Sequence, residues 1–219
     1  MTISISSFSL IWLKDGEVVA EYRADGKTKE EILHWVHNQV KEADLDASKL
    51  HYIDHYEVPV HPVDEGAPFI MPESDILTAW MTHRTNANAM LAELNRLVGK
   101  ESTIRIWPHH FDTGTYYPFG DKKSIGAGWA IGDAMCEYPY LYIYPWNADE
   151  TVDLSDVPTL NAGRWMTDGW IGALLPLDEM QQMSELQEQL SDLMGSVTKR
   201  LKRKLKINER QFYYETILS

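Results

Sequence analysis

The sequence predicts an α+β fold: an antiparallel sheet of several strands packed against three main helices, the last of them long and C-terminal. Three observations carry that expectation. A hairpin signal opens the chain, three segments place apolar residues at spacings of three or four, and from Ile104 to Leu175 short β-prone runs alternate with turns. The order of hairpin, helix, strand, helix, several strands and helix does not repeat as βαβ units, so a doubly wound parallel sheet is not expected.

The opening runs Phe8 to Leu13 and Val18 to Tyr22 flank Lys14-Asp15-Gly16-Glu17, whose central Asp-Gly pair suits the positive φ angles of a two-residue turn. Thr28-Lys29-Glu30-Glu31 reads as a capping box. With Ile32, Leu33, Val36 and Val40 at helical spacing, a first helix is expected from about 29 to 43. A strand from Tyr52 to Val60 and a proline-rich connection through Pro62, Pro68 and Pro72 follow. Ser74 or Asp75 then caps a longer helix with the stripe Ile76, Trp80, Ala87, Leu91, Leu94 and Val98, which Gly99 ends.

Next come strands at Ile104 to Pro108, Ser124 to Trp129, Tyr138 to Trp146 and Arg164 to Leu175. The last helix begins near Asp178 and carries Met180, Met183, Leu186, Leu190, Leu193, Val197, Leu201 and Leu205 on one face. No repeat, low-complexity tract or long polar linker divides the chain. A single domain over 1–219 is expected, with a hairpin and helix part at 1–72 and a motif-bearing region at 73–206.

Composition bounds the function. Lys and Arg total 20 against 33 Asp and Glu, and the net charge of −13 repels phosphate backbones, so nucleic-acid binding is not expected. Cys136 is the single cysteine and allows no internal disulfide. No basic region precedes the short apolar run at Phe8, and no apolar stretch approaches the roughly 20 residues of a membrane helix. A soluble protein of the cytoplasm is expected.

The segment Trp107-Pro108-His109-His110-Phe111-Asp112 crowds two imidazoles and a carboxylate where a strand ends, a usual place for chemistry. In an extended chain His110 and Asp112 share one face and Trp107 and His109 the other, because strand side chains alternate. His110 with Asp112 is therefore the candidate catalytic pair, a base and the carboxylate that orients it. The same two residues, with Asp133, Glu137 or a histidine of the His51, His55 and His61 group, form a candidate zinc or iron site. The competing reading is a hydrogen-bonded structural histidine with Asp112 capping a turn. Ser124 has no Gly-x-Ser-x-Gly setting and Cys136 no activator, so covalent catalysis has little support.

Tyr138, Tyr140, Tyr142, Tyr144 and Trp146 alternate with Pro139, Leu141, Ile143 and Pro145, which puts every large ring on one face of a strand. Such a wall suits a planar ligand, with aromatic cross-strand packing as the alternative. Trp107, His109, Trp129, Tyr140, Tyr142 and Tyr144 are the candidate ligand-binding residues. Ser124-Ile125-Gly126-Ala127-Gly128-Trp129 resembles an anion-cradling loop but lacks the dinucleotide fingerprint. Lys199 to Lys206 concentrates positive charge at the end of the last helix, where it complements the helix dipole or docks an acidic partner.

The W-P-H-H-F-D segment, Ser124 to Gly128, Gly132-Asp133, Glu137-Tyr138-Pro139-Tyr140 through Trp146, and Trp165 through Ala173 together resemble an uncharacterised bacterial protein family sharing that signature. The resemblance covers roughly residues 75 to 200. It departs at Glu137, where a tyrosine interrupts the family's E-P-Y triplet. It implies that these segments belong together and brings no reaction with it. The leading expectation is a small-molecule pocket between strand 138–146 and the 107–112 turn. A metal-dependent or acid/base hydrolase-type enzyme using His110 and Asp112 is the alternative, and a protein-interaction module the third.

Overall fold

The computed structural model describes residues 1–50, 60–108 and 110–207, and over them the chain is α+β with antiparallel sheets. Two compact units divide it, Met1–His83 and Arg84–Ser219. No helix among the described residues is long and apolar enough to cross a membrane.

In the first unit β1 (Thr2–Ser4), β2 (Ser9–Lys14) and β3 (Glu17–Arg23) form a three-stranded sheet in that order. The hairpin turns where the Asp-Gly pair predicts it, Asp15 and Gly16 both taking positive φ. Strand β1 was not expected, although Met1 to Ser6 alternates apolar and polar residues. Helix α1 (Lys29–Glu42) starts at the expected capping box: Thr28 Oγ1 accepts from Glu31 N, and the Glu31 carboxylate accepts from Thr28 N. Its Val36 packs with Leu10 and Ala24, and Trp35 stacks on Tyr22 at 5.3 Å. The strand expected at Tyr52 to Val60 lies outside the described residues except for exposed Val60.

Helix α2 (Ser74–Val98) runs through the boundary between the units. Ile76, expected on its buried stripe, is exposed, and Leu77 is buried in its place. The second unit is a six-stranded antiparallel sheet with the order β4-β5-β6-β7-β9-β8. Its strands are β4 (Arg105–Trp107), β5 (Asp112–Pro118), β6 (Lys123–Ala130), β7 (Tyr140–Asn147), β8 (Arg164–Asp168) and β9 (Trp170–Pro176). Strand β5 was not expected, since its glycine and tyrosines carry no clean apolar period. The run Arg164 to Leu175, expected as one strand, is a hairpin closed at Gly169.

The final helical region is interrupted. A single turn, α3 (Leu177–Met180), precedes α4 (Leu186–Lys204), and residues 181–185 break the stripe, so Leu186 is exposed. One face of the sheet carries Tyr117, Ile125, Ala127, Trp129, Leu141, Ile143, Ala173 and Leu175. Ala87, Leu91, Leu94 and Val98 of α2 and Leu190, Met194, Val197, Leu201 and Leu205 of α4 pack on it as one apolar core. Because strand side chains alternate, the residues between these positions point to the opposite face, and that face carries the candidate site.

Candidate functional site

Trp107 and Asp112 are cross-strand partners, which makes the signature segment a hairpin in which Pro108 to Phe111 form the connection. The alternation expected through this segment therefore stops at Trp107. Trp107 and Asp112 share a face as opposed residues, instead of lying on opposite faces. His110 is exposed on the turn, and His109 lies outside the described residues.

The hairpin is clamped from α2. Phe111 takes a positive φ of 57°, uncommon for a bulky side chain. The Arg84 guanidinium sits 4.8 Å above its ring, donates to the Phe111 carbonyl oxygen, and donates to Thr113 Oγ1 at 2.7 Å. Burial lowers the Arg84 pKa and the nearby Asp112 charge opposes that shift. Sequence reading missed Arg84, yet a signal exists. Trp80, Arg84, Ala87, Leu91 and Leu94 follow one another at spacings of three or four, so a cation interrupts an otherwise apolar stripe.

Asp112 is 6% exposed and faces away from the helical core. Its Oδ2 accepts from the Tyr142 hydroxyl, and its Oδ1 is buried with no hydrogen-bond partner among the described residues. The donor on this carboxylate is thus a phenol from β7, where the expected partner was His110. Burial raises the Tyr142 pKa, and the Asp112 charge raises it further.

Tyr142 reaches Asp112 by crossing β6 at Gly128, its register partner. A Cβ at Gly128 meets the Tyr142 hydroxyl, one at Gly126 meets the Tyr144 ring, and one at Gly172 meets the Trp170 ring. At Gly114 it falls 2.6 Å from Trp107 Nε1. Four rings therefore lean over four glycines, and each is half-buried. Trp170 stands edge-on to Tyr142 at 6.2 Å, and Tyr142 and Tyr144 are 6.1 Å apart. The segment that resembled an anion-cradling loop is in fact strand β6, and its glycines serve these rings.

The other expected site residues separate by face and by bonding. Trp129 points into the helical core, opposite the tyrosines, because it alternates with Gly128. Tyr140 is on the aromatic face but almost fully buried, and its hydroxyl donates to Asp133 Oδ2 at 2.7 Å. Asp133 Oδ1 accepts from Met135 N at 2.8 Å and Cys136 N at 3.3 Å, so this carboxylate closes a turn. Glu137 is exposed. Among the described residues no three His, Cys, Asp or Glu side chains converge, so His110, Asp112, Asp133 and Glu137 do not form a ligand set. His61 caps the short turn Pro62–Glu65 through Nδ1, while His51 and His55 lie outside the described residues.

At the basic end of α4, Lys202 donates to the Val98 carbonyl at 3.0 Å, Arg200 to the Pro158 carbonyl at 3.1 Å, and Lys204 pairs with Asp156. No family model, curated protein or solved structure matches this chain.

Proposed function

We propose that residues 84–219 form a small-molecule-binding module whose ligand surface is the aromatic face between β7 and the 107–112 hairpin. The observation that carries this reading is the group of half-buried rings seated over glycines. The glycines forgo side-chain packing at four positions on three strands, and the rings seated over them leave aromatic surface on which a planar or ring-shaped ligand stacks. Asp112 supports it. Its Oδ1, without a hydrogen-bond donor among the described residues, leaves unused acceptor capacity beneath this face.

Binding is favoured over acid/base catalysis because the group bonded to Asp112 is a phenol that burial keeps neutral, while His110 stands exposed on the turn. The resemblance to the W-P-H-H-F-D family belongs to the same proposal, since the hairpin, the β6 glycines and the β7 aromatics quoted for it are the parts of this face.

Saturation-transfer NMR on the full chain with indole, uridine and methyl β-glucoside tests the reading, these probes sharing a ring and differing in polarity. At least one is expected to bind. Its affinity is expected to fall about tenfold in Trp170→Ala, the worth of one stacking contact. If none of the three receives saturation, or if Trp170→Ala and Tyr144→Ala leave the binding unchanged, the aromatic face is not the ligand surface.

A further inference from the structure

At the β4 edge of the same face lies a cleft of about 540 Å³, with Glu101, Ser102, Thr103, Arg105, Trp107 and Tyr116 on its walls. Sites of this size accept small molecules. Arg105 and Trp107 share a face as alternate residues of β4, and the register Arg105 to Gly114 sets both beside Tyr116. The segment leading into β4, Glu101 to Thr103, is pinned: Ser102 Oγ donates to the Tyr116 carbonyl at 2.7 Å, and Asn95 Nδ2 donates to the Ser102 carbonyl at 3.1 Å. Asn95 is itself held by the Tyr117 hydroxyl at 2.8 Å.

The cleft thus presents a guanidinium and a carboxylate that do not neutralise each other. Neither Arg105 nor Glu101 has an ion pair or hydrogen bond among the described residues. A ligand carrying a single charge satisfies one of them and meets repulsion from the other. A zwitterion satisfies both, its carboxylate on the planar fork of Arg105 and its ammonium on Glu101. Trp107 and Tyr116 leave the remaining wall aromatic.

We propose that this cleft binds a free α-amino acid with an aromatic or apolar side chain. The inference deepens the proposed function, since Trp107 belongs to both surfaces, and it names a class of ligand for one end of the face.

The test is calorimetric titration of the full chain with L-phenylalanine, L-phenylalanine amide and N-acetyl-L-phenylalanine, which carry both charges, only the ammonium and only the carboxylate. L-Phenylalanine is expected to bind, and each analogue about tenfold or more weakly, as the loss of one charge-assisted bond requires. In Arg105→Gln the amide and the amino acid are expected to bind equally, and in Glu101→Gln the N-acetyl compound and the amino acid. These positions are exposed; Glu101→Gln keeps the side-chain shape, and Arg105→Gln replaces the guanidinium by a shorter neutral amide. Absence of saturable binding of L-phenylalanine overturns the inference, as does an analogue that binds as tightly. Trp170→Ala keeps this cleft and removes a ring of the adjoining platform. L-Phenylalanine affinity that falls as far in Trp170→Ala as in Arg105→Gln overturns the cleft assignment and leaves the aromatic-face reading standing.

Discussion

Gly128→Ala tests the seating of Tyr142 over glycine most directly. A Cβ at this position meets the Tyr142 hydroxyl, its Cζ at 2.5 Å, and the Thr113 carbonyl oxygen at 2.8 Å. Neither neighbour yields easily, because the carbonyl belongs to the middle of a paired strand and the ring is held by Asp112 and Trp170. Overpacking of this kind costs about 1–3 kcal/mol. Displacing the ring also breaks the bond to Asp112, and a hydrogen bond to a charged group contributes about 1.5–3 kcal/mol. Alanine offsets about 0.5–1 kcal/mol by reducing the entropy of the unfolded chain. The net expectation is a loss of about 2–5 kcal/mol.

Urea unfolding at neutral pH, followed by tryptophan fluorescence, measures it. Gly195→Ala is the control: it lies in α4 with its Cβ position 3.6 Å from Leu97 Cδ2, an ordinary contact, and is expected to stabilise by about 0.5–1 kcal/mol. In a Tyr142→Ala background the cost of Gly128→Ala is expected to shrink by about 1 kcal/mol or more, since only the carbonyl contact remains. A Gly128→Ala chain within about 0.5 kcal/mol of wild type, or a cost unchanged without Tyr142, refutes the argument.

Three further outcomes are expected. Burial raises the Tyr142 and Tyr140 pKa values above the ordinary 10.0, helped by the neighbouring Asp112 and Asp133 charges, so the folded state keeps both phenols protonated. Their contribution is fully present below pH 10 and is lost as pH rises further. Phenolate absorbance is therefore expected to show tyrosines that ionise only with unfolding, fewer of them in Tyr142→Phe; full titration in a chain that circular dichroism shows folded counts against it. Arg84→Lys is expected to cost about 1–3 kcal/mol in the same urea assay, because one ammonium does not reproduce the fork that reaches both Phe111 O and Thr113 Oγ1. Thr28→Ala, which opens the capping box of α1, is expected to cost about 1 kcal/mol, read as faster amide exchange in the first turn; unchanged exchange at Glu31 rejects it.

What was legible in the sequence divides along physical lines. Elements set by local chemistry stand where they were expected: the Asp-Gly hairpin, the Thr28 capping box, the α2 residues Ala87 to Val98, and strands β6 and β7. Elements set by partners were less legible. Strand β5 has no period of its own and is made by pairing with β4 and β6, and the end of the 164–175 run was hidden because Gly169 reads equally as a strand glycine or a turn. The site shows the same division. The rings of β7 were placed on one face by alternation alone, whereas the pairing of His110 with Asp112 assumed an extended chain through a segment that is a hairpin turn.

The two strands at the centre of the sheet also carry a joint pattern that neither shows singly. On the outer face β7 presents Tyr140, Tyr142, Tyr144 and Trp146, while β6 presents Ala130, Gly128, Gly126 and Ser124 opposite them in register. Large residues on one strand therefore face small residues on the next at four consecutive positions. Ordinary cross-strand packing matches side chains of middling size, because two large rings abreast crowd and two glycines leave a groove. Concentrating all the volume on one strand lets each ring fold sideways over its neighbour instead of standing upright. The glycines of β6 are in this sense part of the proposed ligand surface, and enlarging one is expected to displace a ring and to reduce stability.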